Sequence, residues 1–331
     1  MTLYRSNLPQ LAGGDFLTDG GLETSLIFHY GIDLPCFAAF PLVTSEDGRE
    51  TLRSYFKPYL ETARQRKLGF ILDTVTWRAN ADWGAKLGYS AEALAGVLRM
   101  SVAFACELRE TYAMANSPIV INGILGPRGD GYRAGDRMSP KEAERYHEAQ
   151  IEVFRATQAD MVSAVTLTYP EEAIGIVRAA QAHGMPVVIS FTVETDGRLP
   201  SEETLQDAIE QVDAATGSGP AYYMINCAHP THFESTMAGH GAWLGRIRGI
   251  RANASTMSHA ELDAATELDA GDPEDLGRRY RALRYRLTQL RVLGGCCGTN
   301  HRHIAAICEA CQPRAAEPRE ALAAAGVSMR A

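Results

Sequence analysis

Eight short apolar runs with helix-like stretches between them are the feature that most restricts how this chain can fold. They span Asp15 to Asp19, Gly69 to Val75, Pro118 to Gly123, Ala159 to Thr166, Met185 to Thr192, Ala221 to Asn226, Arg246 to Asn253 and Leu290 to Gly295. Several are rich in Val and Ile and most lack polar alternation, the habit of strands buried on both faces of a parallel sheet. The stretches between them carry helix start signals. Ser139-Pro140-Lys141-Glu142 joins an N-cap, a proline at the first helical position and a capping-box glutamate, and Asp272-Pro273-Glu274 uses an aspartate cap. Ser45, Ser90 and Ser201 are expected to open three more helices, and a last helix is expected from His301 to Cys311. Eight alternations over about 300 residues point to an α/β fold of the (β/α)₈ TIM-barrel type. A doubly wound dinucleotide-binding sheet is disfavoured, because the first run ends in Asp19-Gly20-Gly21-Leu22-Glu23-Thr24, with no Gly-x-Gly-x-x-Gly.

No low-complexity linker interrupts the pattern, so one domain over residues 1–331 is expected, with a core of about 15–312 and a tail at 314–331 rich in Ala, Arg and Glu. A net charge of −8 argues against nucleic acid and against an anionic membrane surface, leaving small molecules as the expected partners. No apolar run reaches membrane-spanning length and no signal-peptide pattern opens the chain, so a cytoplasmic protein is expected. In that setting seven cysteines fit reduced thiols used for metal binding or catalysis. The four lysines, Lys57, Lys67, Lys86 and Lys141, avoid the predicted strand ends, which disfavours Schiff-base chemistry. No P-loop is present.

Cys296 and Cys297 end the eighth run and Cys227 ends the sixth. Adjacent cysteines pair poorly with each other, but as thiolates both can hold one soft cation. In a barrel all three fall on the C-terminal face, where Zn²⁺ with three thiolate ligands keeps one position open for a substrate. Competing readings use Cys296 and Cys297 with Cys308, Cys311, His301 and His303 in a closed structural zinc site, or treat the vicinal pair as a redox sensor, or leave the barrel free of zinc. Asp19, beside two glycines at a strand's end, is a candidate to hold a substrate ammonium. Asn226 and Asn253, both ending apolar runs, are candidate polar lining or backbone ties, and His229 and Trp77 are weaker candidates. The loops 126–137 and 193–200 are expected to cover the mouth.

The Asp19-Gly20-Gly21-Leu22-Glu23-Thr24 opening, Asn226-Cys227 and Gly294-Gly295-Cys296-Cys297-Gly298-Thr299 resemble the motifs of the homocysteine S-methyltransferase family, over about Phe16 to Ile307. The resemblance implies a zinc held by Cys227, Cys296 and Cys297 that activates a thiol acceptor, with Asp19 binding the homocysteine amino group catalytically. It implies in-line methyl transfer from a free sulfonium donor, S-methylmethionine or S-adenosylmethionine. One position departs: the family commonly has Glu-Thr after the fourth strand, and here Val165 stands in the glutamate's place, before Thr166. Valine cannot accept a hydrogen bond from an ammonium. The acceptor amine is then held by other groups, or the acceptor is a different thiol. Thr166 joins Asp19, Asn226 and Asn253 as an expected substrate-binding residue, and a homo-oligomer is compatible with the sequence.

Overall fold

A computed structural model describes residues 2–312; the tail at 314–331 lies outside the described residues. Eight parallel strands close into one barrel in chain order. They are β1 (Phe16–Leu17), β2 (Gly69–Asp73), β3 (Ile119–Leu125), β4 (Met161–Leu167), β5 (Val187–Phe191), β6 (Tyr222–Asn226), β7 (Ile247–Ala252) and β8 (Val292–Gly295). The expected (β/α)₈ barrel is therefore the fold, and all eight expected runs supply a strand. Their ends move. β1 keeps only two fully laddered residues, and β3 runs on to Leu125 because Asn122 to Leu125 pair with Met161 to Ala164.

The helices are α1 (Leu22–Phe28), α2 (Glu46–Arg66), α3 (Ala81–Lys86), α4 (Ala91–Tyr112), α5 (Pro140–Arg155), α6 (Pro170–Ala182), α7 (Leu205–Thr216), α8 (Pro230–Phe233), α9 (His259–Ala264), α10 (Pro273–Arg286) and α11 (His301–Cys311). Ser45, Ser90, Ser139 and Asp272 cap α2, α4, α5 and α10 as their sequences predict. Ser201 does not open α7. The chain first folds back on itself, with Arg198 bridging Thr204 and Leu199 N–H donating to Glu203 O, so Thr204 becomes the cap and accepts from Asp207 N–H. Among the described residues, no helix is long and apolar enough to cross a membrane.

Two apolar layers result. Inward-facing side chains such as Phe16, Val120, Met161, Val188, Tyr222 and Val292 fill the barrel, while the outer faces of the strands pack against the helices. Leu8 enters the inner layer from below, and Gln10 reaches Tyr222 Oη at 3.5 Å. Asp160, fully buried at the foot of β4, fastens this plug. Its carboxylate accepts from Leu3 N–H (3.0 Å), Tyr4 N–H (2.9 Å), Ile121 N–H (2.9 Å) and Arg109 Nη1 (2.8 Å). The N-terminal face is thus packed shut, and the C-terminal face is left for chemistry. Asp160→Asn leaves the buried Arg109 without its counter-charge and is expected to cost about 3 kcal/mol. Urea unfolding followed by circular dichroism checks this, and an unchanged midpoint would show that the plug does not depend on the ion pair.

Candidate metal centre and substrate cavity

The cysteines are positioned by how β6 and β8 end. Cys227 follows β6 in a left-handed conformation (φ 55°), uncommon for a residue with a Cβ. Three donors onto its carbonyl hold it there: His259 Nε2 (2.8 Å), Asn253 Nδ2 (3.0 Å) and Thr192 Oγ1 (3.3 Å). The turn after β8 is tightened by Thr299, whose N–H and hydroxyl both donate to Cys296 O, at 3.1 and 2.7 Å. Glycines let β1 and α1 close on that turn. A Cβ on Gly294 would run into Thr18 Oγ1, and one on Gly21 would meet Thr24 Oγ1 and the Cys296 carbonyl. Thr24 Oγ1 in turn accepts from Gly298 N–H at 3.2 Å.

The sulfurs of Cys227, Cys296 and Cys297 all lie within 4.8 Å of one another, and they are the sole such group of three or more ligand residues among the described residues. Cys227 and Cys296 are joined as a disulfide, while Cys297 Sγ stands 3.8 Å from Cys227 Sγ. The adjacent pair is not bonded to itself. Two thiolates sharing a tetrahedral Zn²⁺ with legs of about 2.3 Å sit roughly 3.8 Å apart, so the Cys227 and Cys297 spacing fits the ion. Cys296 joins them only after two-electron reduction of its bond to Cys227. Burial pushes the Cys297 thiol up to about 11, with the Tyr132 hydroxyl at 3.5 Å pulling it the other way. Without a cation beside it this sulfur stays protonated at neutral pH, which is the setting a soft metal changes. Cys308 and Cys311 take no part: Cys308 is buried in the outer core and Cys311 packs against it.

The three cysteines border a cavity of about 270 Å³ at the C-terminal mouth. Of the expected substrate residues, Asp19, Thr166 and Asn226 line it, as does Val165, whereas Asn253 stands behind Cys227 as a tie to its carbonyl. Asn226 also works structurally. Its Oδ1 accepts from Thr166 N–H (2.9 Å) and Ser190 Oγ (2.6 Å), and its Nδ2 donates to Thr166 Oγ1 (2.8 Å), fixing Thr166 at φ 62°. His229 caps α8 and hydrogen-bonds Thr231, outside the cavity lining. Gly131 and Tyr132 of the loop 126–137 line the mouth, and Tyr132 stacks on His259 at 4.1 Å. The loop 193–200 does not reach the cavity; it supplies Glu194 to His259 at 3.1 Å.

Arg251 and Asp73 are cavity residues that sequence reasoning missed. Arg251 Nη2 donates to Asp19 Oδ1 at 2.6 Å, and Nη1 pairs with Asp73 Oδ2. Tyr55 Oη donates to Asp19 Oδ2 at 3.0 Å, and Asn122 Nδ2 to Asp73 Oδ1 at 2.7 Å. Burial lifts the Asp19 carboxyl to about 7 against the opposing pull of Arg251. The available signal was charge within buried strands: Asp73 ends the otherwise apolar β2, and Arg251 is the second of two arginines in β7. Trp77 lines the cavity too, but one face of its ring already holds the Arg78 guanidinium at 4.0 Å.

Comparison with known proteins agrees with this geometry. The chain is 24% identical over 318 residues to a selenocysteine Se-methyltransferase of Brassica oleracea var. italica, covering 89% of this chain and 88% of that protein. It is 26% identical over 263 residues to betaine–homocysteine S-methyltransferase 1 of Rattus norvegicus, covering 73% of this chain and 61% of that one. The fold resembles crystal structures of the homocysteine methyltransferase MmuM from Escherichia coli. The oxidized form gives a TM-score of 0.70 at 19% identity, over 88% of this chain and 94% of that one. The metallated form gives 0.70 at 18%, over 91% and 98%. With the family profile described as "Homocysteine S-methyltransferase" matching residues 16–311, the chain belongs to the homocysteine S-methyltransferase family.

Proposed function

We propose that this chain is a zinc-dependent thiol S-methyltransferase that moves a methyl group from a free sulfonium donor to a small thiol acceptor, with homocysteine, giving methionine, as the leading acceptor. The observation that carries the reading is the group of three cysteine sulfurs within 4.8 Å at the wall of a cavity on the barrel's C-terminal face. A Zn²⁺ held by Cys227, Cys296 and Cys297 would supply the positive charge that keeps an acceptor thiol deprotonated at neutral pH. For a thiol with pKa roughly 8.5 that is worth about 2 kcal/mol at pH 7.

The larger contribution comes from placement. The acceptor sulfur attacks the methyl carbon as the donor's carbon–sulfur bond breaks, so the sulfonium leaves as a neutral thioether. Holding the two partners in line contributes up to roughly 7 to 11 kcal/mol in favourable intramolecular cases. The residues present supply that rigidity, with Asn226 and Thr166 locked by reciprocal hydrogen bonds and Cys227 pinned through its carbonyl. The cavity of about 270 Å³ is small among ligand pockets, which favours a compact sulfonium such as S-methylmethionine over a nucleoside-bearing one. Asp19 retains unused lone pairs for a substrate ammonium, but Arg251 offsets its charge, and Val165 adds an apolar contact.

A second reading, a non-catalytic redox-sensing barrel, draws on the Cys227–Cys296 disulfide. The two readings separate on metal and activity. Protein kept oxidised is expected to hold little zinc, and protein reduced with a dithiol about one zinc per chain, as measured by elemental analysis after desalting. Equal zinc before and after reduction would place the metal elsewhere. Cys297→Ser is expected to lose the zinc and at least a hundredfold of methyl transfer together, with the circular dichroism spectrum unchanged. Methyl transfer persisting in zinc-free protein would sink the zinc mechanism. Reversible oxidation with no transfer from any sulfonium would favour the sensor.

A further inference from the structure

Five carboxylates line the cavity; Asp130 and Asp263 are exposed, and of the three others, Asp19, Asp73 and Glu23, two are already matched. Asp19 and Asp73 share Arg251, and Tyr55 and Asn122 complete their hydrogen bonding. Glu23 is not matched. It stands in the first turn of α1, half-buried, and lines the cavity with Cys297, whose thiol feels its charge. Among the described residues its side chain makes no ion pair and no hydrogen bond to another residue. The cations whose fields reach it, Arg78 and Arg251, form no ion pair with it. Arg251 serves the two aspartates. Arg78 is held 4.0 Å from each of the Trp77 and Trp83 rings, with Nη1 donating to Gly129 O at 3.0 Å and Nε left without a partner, so it does not reach Glu23.

An unpartnered carboxylate in such a place is costly, and burial lifts Glu23 to about 6. A first-turn acid serves the helix equally well facing water, so the helix does not account for its direction. The aromatic alternative for a cation is partly closed, because Arg78 covers one face of Trp77 and Phe37 meets that ring edge-on at 6.3 Å. We infer that Glu23 is the subsite for the cationic centre of a substrate, an organic cation carried next to the sulfur cluster. This rests on the methyl-transfer reading, which brings a sulfonium donor, and an ammonium on an amino-acid acceptor, into this cavity.

The test uses the full chain, reduced and zinc-loaded, as wild type, Glu23→Gln and Glu23→Asp. Calorimetry measures the binding of S-methylmethionine and of homocysteine separately, with 3-mercaptopropionate as a thiol lacking an ammonium, and methyl transfer is assayed in parallel. Glu23→Gln is expected to weaken one of the two cationic ligands by about tenfold or more. Glu23→Asp recovers part of the loss, and 3-mercaptopropionate is unaffected. Weakened S-methylmethionine assigns the donor's cation to Glu23; weakened homocysteine assigns the acceptor's ammonium. Both affinities within twofold of wild type, or equal weakening of 3-mercaptopropionate, would overturn the inference while leaving methyl transfer standing. Wild type that transfers no methyl group, but loses S-methylmethionine binding on Glu23→Gln, would keep the subsite and overturn the reaction. Wild type that binds neither cationic ligand overturns both.

Discussion

The seam where β8 closes onto β1 is the constraint on which the rest of the site depends. β1 contributes only Phe16 and Leu17 to the ladder, paired with Val292 and Leu293. Beyond them two backbone bonds, Thr18 N–H to Leu293 O and Gly295 N–H to Asp19 O, continue the contact to the barrel mouth. That close approach leaves no room for a Cβ on Gly294 against Thr18, or on Gly20 and Gly21 against Thr299 and Cys296, which explains why glycines sit on both sides of it. It also brings Asp19 and the turn bearing Cys296 and Cys297 to the same rim. A strand register shifted by one residue would reverse every side chain and dismantle the cluster.

Charge is the second constraint. Asp19 and Asp73 come from the ends of two neighbouring strands, and two buried carboxylates so placed repel each other unless a cation lies between them. Arg251 supplies it from β7, on the far side of the β8 and β1 seam, so the ion network ties together strands distant in sequence. Burying three charges costs solvation that their mutual attraction offsets only with good hydrogen bonding, which Tyr55 and Asn122 provide. The outcome is a mouth whose polar groups are mostly satisfied before any ligand arrives.

The barrel was legible because its strands are buried on both faces, so the apolar runs stand out, and because proline and Ser or Asp caps punctuate the helices. The cysteine cluster was legible for a related reason: strand ends in a barrel converge, so cysteines at the ends of the sixth and eighth runs had to meet. What escaped depended on contacts that no local pattern encodes. The partner of Asp19 lies 232 residues away in sequence. The start of α7 was misplaced because the bridge between Arg198 and Thr204 precedes it. The pairing of Cys227 with Cys296, leaving Cys297 free, likewise has no local signature. Asn253 was open between cavity lining and a backbone tie, and its amide is spent on the Cys227 carbonyl.

The link between β6 and β8 has a consequence for how robust the different forms of this protein are. Cys227 and Cys296 are 69 residues apart, and closing a loop of that size in the unfolded chain is worth about 4 kcal/mol in the chain-entropy account. The disulfide closes it, and an ion held by the same cysteines would close it by other means. The reduced form without metal has neither closure. On this count the reduced, metal-free form is the least stabilised of the three. A screen that ranks preparations by thermal stability alone would therefore favour the disulfide-closed form, which cannot offer three thiolates to a metal.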